Sequence, residues 1–207
     1  MNELGEKLKQ QILDAEKKQK AAIASSPFRA AFHLMPPVGW LNDPNGLCQF
    51  QGVYHIFFQY SPLSVDGGMK AWGHHISKDM IVFDYEGAPL LPDEDFDRDG
   101  VYSGCAWVEN GKMHLYYTGN VKEKGEHDYI HSGRGANVVY VSSEDGIKFK
   151  VIFSFLTGAS ISEGLILASS DKISCKLPFV ILNSPVEISE YAKPYISFFS
   201  SLKIAQI

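Results

Sequence analysis

The chain has 207 residues and a formal net charge of −5, with 19 Lys and Arg against 24 Asp and Glu. This length suits one ordinary domain and is too short for two large ones. An apolar fraction of 45% excludes a disordered chain. The mild acidity argues against nucleic-acid binding, which needs clustered Lys and Arg. Three cysteines, far apart and odd in number, favour a reducing, cytoplasmic location.

Residues 1–26 are predicted to form an N-terminal helix and a linker. Apolar residues recur every three or four positions over residues 2–23, and Ser25-Ser26-Pro27 ends the pattern. A surface helix packed on its own domain explains this pattern, and a helix that binds a partner or a membrane surface is the alternative. Lysines interrupt every apolar run, so no secretory signal is expected.

Residues 27–150 have the pattern of a β domain, with short aromatic and β-branched runs between turn signals. Residues 52–58 resemble residues 111–117, and residues 77–83 resemble residues 143–149. Each unit contains a hairpin, a further strand, a Ser-x-Asp turn and a fourth strand. The repeat predicts two four-stranded propeller blades. Chance similarity between aromatic-rich hairpins is the alternative.

Residues 151–207 differ in composition, because they contain no Trp, His or Arg but 11 Ser and 9 Ile. Periodicity is weak, so we expect an irregular tail. Two origins are open: a second small domain, or a stretch translated from the wrong frame of an AT-rich gene, which the composition favours. Glu163 argues against a membrane span in the apolar stretch 151–170.

Asp43 is the most promising chemical group in the sequence. It lies between two amides in Trp-Leu-Asn-Asp-Pro-Asn-Gly, residues 40–46, before a proline that keeps the backbone extended. We expect Asn42 and Asn45 to hold its carboxylate in one rotamer, facing a cleft. Taken alone, however, Asn-Asp-Pro-Asn-Gly would be a tight turn with Asx caps.

Three further motifs favour a sugar site over a turn. Trp40 and Trp72 could offer flat apolar faces to the C–H side of a sugar ring. Gln59 and Ser103 could form hydrogen bonds with sugar hydroxyls. Adjacent histidines on a strand point to opposite faces, and the other histidine pair lies in a charged loop, so no metal site is predicted.

These motifs resemble those of glycoside hydrolase family 32, the β-fructofuranosidases, which include bacterial sucrose-6-phosphate hydrolases. Trp-Leu-Asn-Asp-Pro-Asn-Gly, Phe-Phe-Gln-Tyr, Trp-Gly-His and Tyr-Ser-Gly-Cys-Ala occur here in the family's order. The resemblance covers residues 27–150. It implies an all-β fold: the first two blades of a five-bladed β-propeller, here after an N-terminal helix.

The resemblance implies hydrolysis of the terminal β-fructofuranoside bond of sucrose or sucrose 6-phosphate, with Asp43 as the nucleophile. The only partner expected is this small sugar; no cofactor, metal, nucleic acid or membrane is expected, and the oligomeric state stays open. The resemblance also implies the residues that contact the substrate, which are Trp40, Leu41, Asn42, Asp43, Gln59, Trp72, Tyr102 and Ser103.

Two family motifs are missing from the sequence. Retaining hydrolysis needs two carboxyl groups about 5 Å apart. The family takes the acid/base from a Glu-Cys motif and a third carboxylate from Arg-Asp-Pro, and neither occurs here. The acidic run at residues 93–99 is expected to be a solvated loop, not a substitute. We therefore expect an inactive chain, and a poorly folded one because three of the family's five blades are absent and blade faces would be open to water. A non-catalytic truncated remnant and a fructosyltransferase are the alternatives.

Overall fold

The computed structural model describes residues 2–30 and 32–157, which form one helix and two four-stranded antiparallel sheets. In both sheets the strands follow in sequence order, which confirms the predicted all-β arrangement after an N-terminal helix. The helix is α1 (Glu3–Ala24). The first sheet consists of β1 (Trp40–Phe50), β2 (Val53–Ser61), β3 (Ala71–Ser77) and β4 (Asp84–Leu90). The second sheet consists of β5 (Val101–Glu109), β6 (Lys112–Lys122), β7 (Arg134–Ser143) and β8 (Lys150–Thr157).

The boundary predicted at residue 150 coincides with the first residue of β8. The second sheet therefore takes its fourth strand from residues 150–157. The rest of the predicted tail, and with it Glu163 and the question of a shifted frame, lies outside the described residues.

Helix α1 packs on the first sheet, which agrees with the predicted packing of the helix on its own domain. Its first turn is capped by Asn2, whose Oδ1 accepts a hydrogen bond from the Gly5 N–H at 2.9 Å. On the inner face Ile12 is buried in a cluster with Phe58 and other apolar residues of the first sheet. Tyr60 is in the same cluster, and its hydroxyl donates a 3.0 Å hydrogen bond to Glu16 of the helix. No helix of residues 2–30 and 32–157 has the length and apolar character needed to cross a membrane.

The Ser-x-Asp turns of the two sheets have the same hydrogen bonds. The serine hydroxyl donates to the aspartate at 3.1 Å from Ser77 to Asp79 and at 3.0 Å from Ser143 to Asp145. Each serine Oγ also accepts a backbone N–H three residues later, at 2.8 Å in both turns. Each aspartate accepts the two backbone N–H groups that follow two and three residues on. The predicted repeat is therefore a structural one.

The acidic run at residues 93–99 is not simply a solvated loop. Glu94 and Asp95 are exposed, but Asp97 is only 1% exposed. Its carboxylate accepts the Tyr117 hydroxyl at 2.7 Å and the Glu94 N–H at 3.0 Å. Burial raises the pKa of Asp97 to about 6, which the hydrogen bonds from Tyr117 and Glu94 oppose. The prediction is wrong for Asp97, because its buried carboxylate is hydrogen-bonded to the core and holds the connection between β4 and β5 in place.

A buried histidine pair lies in the core between the two sheets. His55 Nδ1 and His74 Nε2 are 2.9 Å apart, and the His74 ring stacks on Phe57 with a centroid distance of 4.1 Å. One nitrogen of the pair must donate and the other accept, which requires the accepting ring to be neutral. Burial, followed by the nearby His55 and His75, lowers the pKa of His74 to about 3. His75 instead stacks on Phe58, which belongs with Ile12 and Tyr60 to the apolar cluster between the helix and the first sheet, the helix-facing cluster. The two adjacent histidines therefore face opposite sides of the sheet.

The His74 pair predicts a loss of stability in acid. The unfolded histidine binds a proton below its ordinary pKa of 6.5, whereas folded His74 stays neutral down to about pH 3. Its stabilising contribution is therefore complete above pH 6.5 and is lost as the pH falls towards 3. Between pH 7.5 and 5.5 the native chain should lose about 1 kcal/mol more unfolding free energy than His74→Asn, as measured by denaturant titration.

The matched control is His33→Asn, which alters an exposed histidine. This variant should follow the pH dependence of the native chain. Equal pH dependence for the native chain and His74→Asn would contradict the assignment.

Candidate functional site

Asp43 lies at a bulge in the first strand of the first sheet. Asn42 and Asp43 together lie opposite the single residue Gln59, because the register of β1 against β2 shifts between Leu41 and Pro44. A bulge bends its strand and redirects side chains, and a proline is tolerated there because no ladder hydrogen bond is required of it. As a result the side chain of Asp43 is exposed.

Ser103 lies at a corresponding bulge in the first strand of the second sheet. The register of β5 against β6 shifts between Tyr102 and Gly104, so Ser103 has no partner residue on β6. Its hydroxyl donates a 2.7 Å hydrogen bond to Oδ2 of Asp43. Gly104 is required beside it, since a Cβ there would lie 1.8 Å from the Tyr116 carbonyl oxygen. The two bulges thus bring Asp43 and Ser103 together from different sheets.

Asn45 lies beneath the surface of the site and forms hydrogen bonds with both β1 and β5. It is 3% exposed, its Nδ2 donates to the backbone carbonyl of Asp43 at 3.0 Å, and its Oδ1 accepts the Gly104 N–H at 3.3 Å. The expectation that Asn42 and Asn45 hold the carboxylate is thereby corrected. Asn45 fixes the backbone of Asp43, and the hydroxyl of Ser103 orients its side chain.

Gln59 and Trp72 lie beneath the surface of the site. Gln59 is 4% exposed and donates from Nε2 to the Val101 carbonyl at 3.3 Å. Trp72 is fully buried and donates from Nε1 to the Tyr102 carbonyl at 3.1 Å. Both side chains therefore tie the first sheet to the start of β5. Direct contact of either with a sugar stays a prediction.

Two cationic side chains that the sequence motifs did not indicate lie beside the predicted residues. The ammonium of Lys70 lies 3.8 Å from the ring centre of Trp40, which is half-buried. Arg134 donates from Nη1 to the hydroxyl of Tyr102 at 3.2 Å. All four residues lie at or next to the first residues of β1, β3, β5 and β7. In each antiparallel sheet the first residues of alternate strands lie at the same end. The 2.9 Å hydrogen bond from the Val101 N–H to the Lys70 carbonyl brings these ends of the two sheets together as one edge.

The sequence contained a weak signal for Lys70, since it directly precedes the Ala-Trp-Gly-His segment on β3. Leu41, also predicted to contact the sugar, is half-buried. It packs against the helix-facing cluster.

Comparison with protein families and curated proteins gives a consistent match. Residues 33–153 match the N-terminal domain of glycosyl hydrolases family 32. A sucrose-6-phosphate hydrolase of Bacillus subtilis is 39% identical over 137 residues, which cover 66% of this chain and 27% of the relative. A raffinose invertase of Escherichia coli is 42% identical over 121 residues, with 58% and 25% covered. The chain thus spans about a quarter of the length of the curated relatives it matches.

Solved structures show the same likeness. A sucrose-6-phosphate hydrolase from Lactobacillus gasseri superposes with a TM-score of 0.60 at 33% identity, over 67% of this chain and 27% of that one. A mutant Bombyx mori β-fructofuranosidase in complex with sucrose gives 0.61 at 30% identity, over 73% and 30%. These neighbours have an N-terminal β-propeller, and the two sheets correspond to blades of it, so the predicted fold is confirmed.

The buried bridge of Asn45 gives a stability prediction. Asn45→Asp keeps the shape of the side chain but replaces the Nδ2 donor by an oxygen that faces the Asp43 carbonyl at hydrogen-bond distance. The Asp43 carbonyl then loses its partner, and an acidic group is buried at position 45. We expect the unfolding free energy to fall by about 1–3 kcal/mol, measured by denaturant titration at neutral pH.

Asn110→Asp is the matched control, since Asn110 is exposed in the β5–β6 turn. An exposed turn substitution should change the unfolding free energy by less than about 0.5 kcal/mol. If the two variants are equally stable, Asn45 does not hold the strands together as described.

Proposed function

Since residues 33–153 match its N-terminal domain, the chain belongs to glycosyl hydrolase family 32, and we propose that it supplies the nucleophile and fructosyl-binding surface of a β-fructofuranosidase. The substrate is sucrose or sucrose 6-phosphate. The names of the relatives support this substrate class, because they include sucrose-6-phosphate hydrolases and a structure in complex with sucrose. The proposal depends most on one observation, the exposed and oriented carboxylate of Asp43.

The Asp43 carboxylate has the properties of a nucleophile. Oδ2 accepts the Ser103 hydroxyl, and no hydrogen bond from the described residues engages Oδ1. One oxygen is therefore held while the other stays available for attack. The backbone beneath is fixed by Asn45, so the group is positioned before any substrate arrives.

In the proposed reaction, Oδ1 of Asp43 attacks the anomeric carbon of the fructosyl unit. The bond from that carbon to the glucosyl oxygen breaks, and the oxygen leaves with a proton from a general acid. Water then hydrolyses the fructosyl–Asp43 ester, so that the configuration is retained over two displacements.

The sugar would contact the exposed edge around Asp43. We assign direct contact to Trp40, Asn42, Tyr102 and Ser103. Leu41 would close the apolar side of the same surface. Gln59 and Trp72 would act from beneath by holding the start of β5, because each already donates its side-chain hydrogen bond to a β5 carbonyl.

The nucleophile can be tested apart from the general acid. Fluoride leaves as a weak base and needs no proton, so β-D-fructofuranosyl fluoride requires only Asp43 for the first displacement. We expect the 207-residue chain to gain the mass of one fructosyl unit, seen by intact-protein mass spectrometry and mapped to the peptide containing Asp43. Asp43→Asn should reduce the labelling rate by several orders of magnitude.

Asp66→Asn is the matched control, because Asp66 is an exposed aspartate of the nearby β2–β3 connection. It should label at the rate of the native chain. Labelling of Asp43→Asn at an unchanged rate would remove the nucleophile assignment, and the non-catalytic alternative would then be favoured.

Sucrose should behave differently from the fluoride. Its glucosyl oxygen is a poor leaving group, and general acid help contributes about 10²–10⁴ in rate. The 207 residues contain neither Glu-Cys nor Arg-Asp-Pro, which provide the family's other carboxylates. We therefore expect no fructose release from sucrose or sucrose 6-phosphate in a coupled fructose assay. Fructose release abolished by Asp43→Asn would show instead that the chain supplies its own acid.

A further inference from the structure

Lys70 has an ammonium group whose hydrogen-bonding capacity is not fully used. Nζ donates to the hydroxyl of Ser61 at 3.3 Å and lies over the ring of Trp40. No carboxylate of residues 2–30 and 32–157 is within ion-pair distance of it. An ammonium has three donors. Ser61 takes one donor and the ring of Trp40 faces another, which leaves one donor for a ligand.

Partial burial makes this cation responsive to an anion. Lys70 is half-buried, and burial lowers its pKa, while the negative charge of Asp43 acts in the opposite direction. A partly desolvated ammonium gains more from a charge-assisted hydrogen bond than a fully hydrated one. The charge of Asp43 thus affects the pKa of Lys70, but the two side chains form no ion pair. Asp43 therefore does not neutralise Lys70.

The backbone and stem of Lys70 are fixed by the second sheet. Its carbonyl accepts the Val101 N–H at 2.9 Å. Its Cβ lies against Gly100, where an added Cβ would come within 3.1 Å. The side chain is thus confined between the start of β5 and the ring of Trp40. A confined lysine loses less conformational entropy when it binds a ligand.

A second cation strengthens the positive field at this edge. Arg134, at the start of β7, bonds to Tyr102 through Nη1, and its buried Nε has no hydrogen-bond partner in the described residues. Arg134 likewise forms no ion pair there. The edge around the exposed Asp43 carboxylate therefore has two cations that no described acid neutralises. Binding of a neutral disaccharide would not require these positive charges.

We propose that Lys70 is a specificity-determining residue, which selects a disaccharide bearing a phosphate ester on its leaving sugar by donating a hydrogen bond to a phosphate oxygen. This inference rests on the proposed function, because it assigns the leaving sugar to the side of Asp43 next to Lys70. A phosphate is a dianion at neutral pH, and lysine binds it as a point charge. The 6-phosphate of sucrose 6-phosphate is carried on an exocyclic carbon, so the ester can reach a cation beside the ring.

The test measures binding of sucrose 6-phosphate and of sucrose to the 207-residue chain by titration calorimetry. The native chain should bind the phosphorylated sugar at least about tenfold more tightly. Lys70→Gln should abolish this preference and leave sucrose affinity within about twofold, whereas Lys70→Arg should retain part of it. Lys78→Gln is the matched control, since Lys78 is exposed beyond the opposite end of β3, and its preference should be unchanged.

A second measurement needs no variant. Inorganic phosphate should compete with sucrose 6-phosphate but not with sucrose, and the preference should shrink as salt is raised. A native chain that binds both sugars equally would overturn the inference. So would a Lys70→Gln variant that loses both affinities equally, because Lys70 would then only support Trp40 and Asp43.

The fluoride labelling of Asp43 separates this inference from the proposed function. A chain that labels at Asp43 but shows no preference for the phosphorylated sugar contradicts only the role of Lys70. A chain that neither labels nor binds either sugar contradicts both.

Discussion

The contact between the first strands of the two sheets is the constraint on which the rest of the structure depends. β1 and β5 each contain a bulge, and the Ser103–Asp43 hydrogen bond joins the two bulges. Without the bulge at Asn42–Asp43, the regular alternation of side chains along β1 would determine to which face of the sheet the carboxylate points. Because Asn45, Gln59 and Trp72 all bond to β5 or its backbone, the packing of the two sheets also determines the geometry of the site.

Features that depend on near neighbours could be predicted from the sequence. The helix is set by apolar spacing and a terminal stop, and it is observed as Glu3–Ala24. The repeat was visible because a Ser-x-Asp turn needs only residues within five positions. Ser77–Asp79 and Ser143–Asp145 indeed form the same turn. The motifs around Asp43 and Ser103 were also found as candidate residues, although their mutual contact was not.

Features that depend on distant partners could not be predicted. Ser103 is 60 residues from the carboxylate it orients, and Asp97 is 20 residues from the Tyr117 hydroxyl that it accepts. Both contacts follow from sheet packing and register shifts, and no local spacing reports these. Lys70 was missed for a related reason. Its relevance comes from the ring of Trp40, 30 positions earlier, and from the absence of a described acidic partner.

The acidic residues of the two sheets differ in what their carboxylates do. Asp79 and Asp145 close turns, Asp97 binds the core tyrosine hydroxyl, and Glu16 accepts the tyrosine hydroxyls that attach the helix. Each of these four carboxylates accepts hydrogen bonds that hold a turn, a strand connection or the helix in place. Asp79, Asp145 and Asp43 are all exposed, but of the five only Asp43 is held by a hydroxyl of the other sheet and lies close to an ammonium that forms no ion pair. A carboxylate oriented and accessible in this way is suited to attack a carbon centre rather than to stabilise a fold.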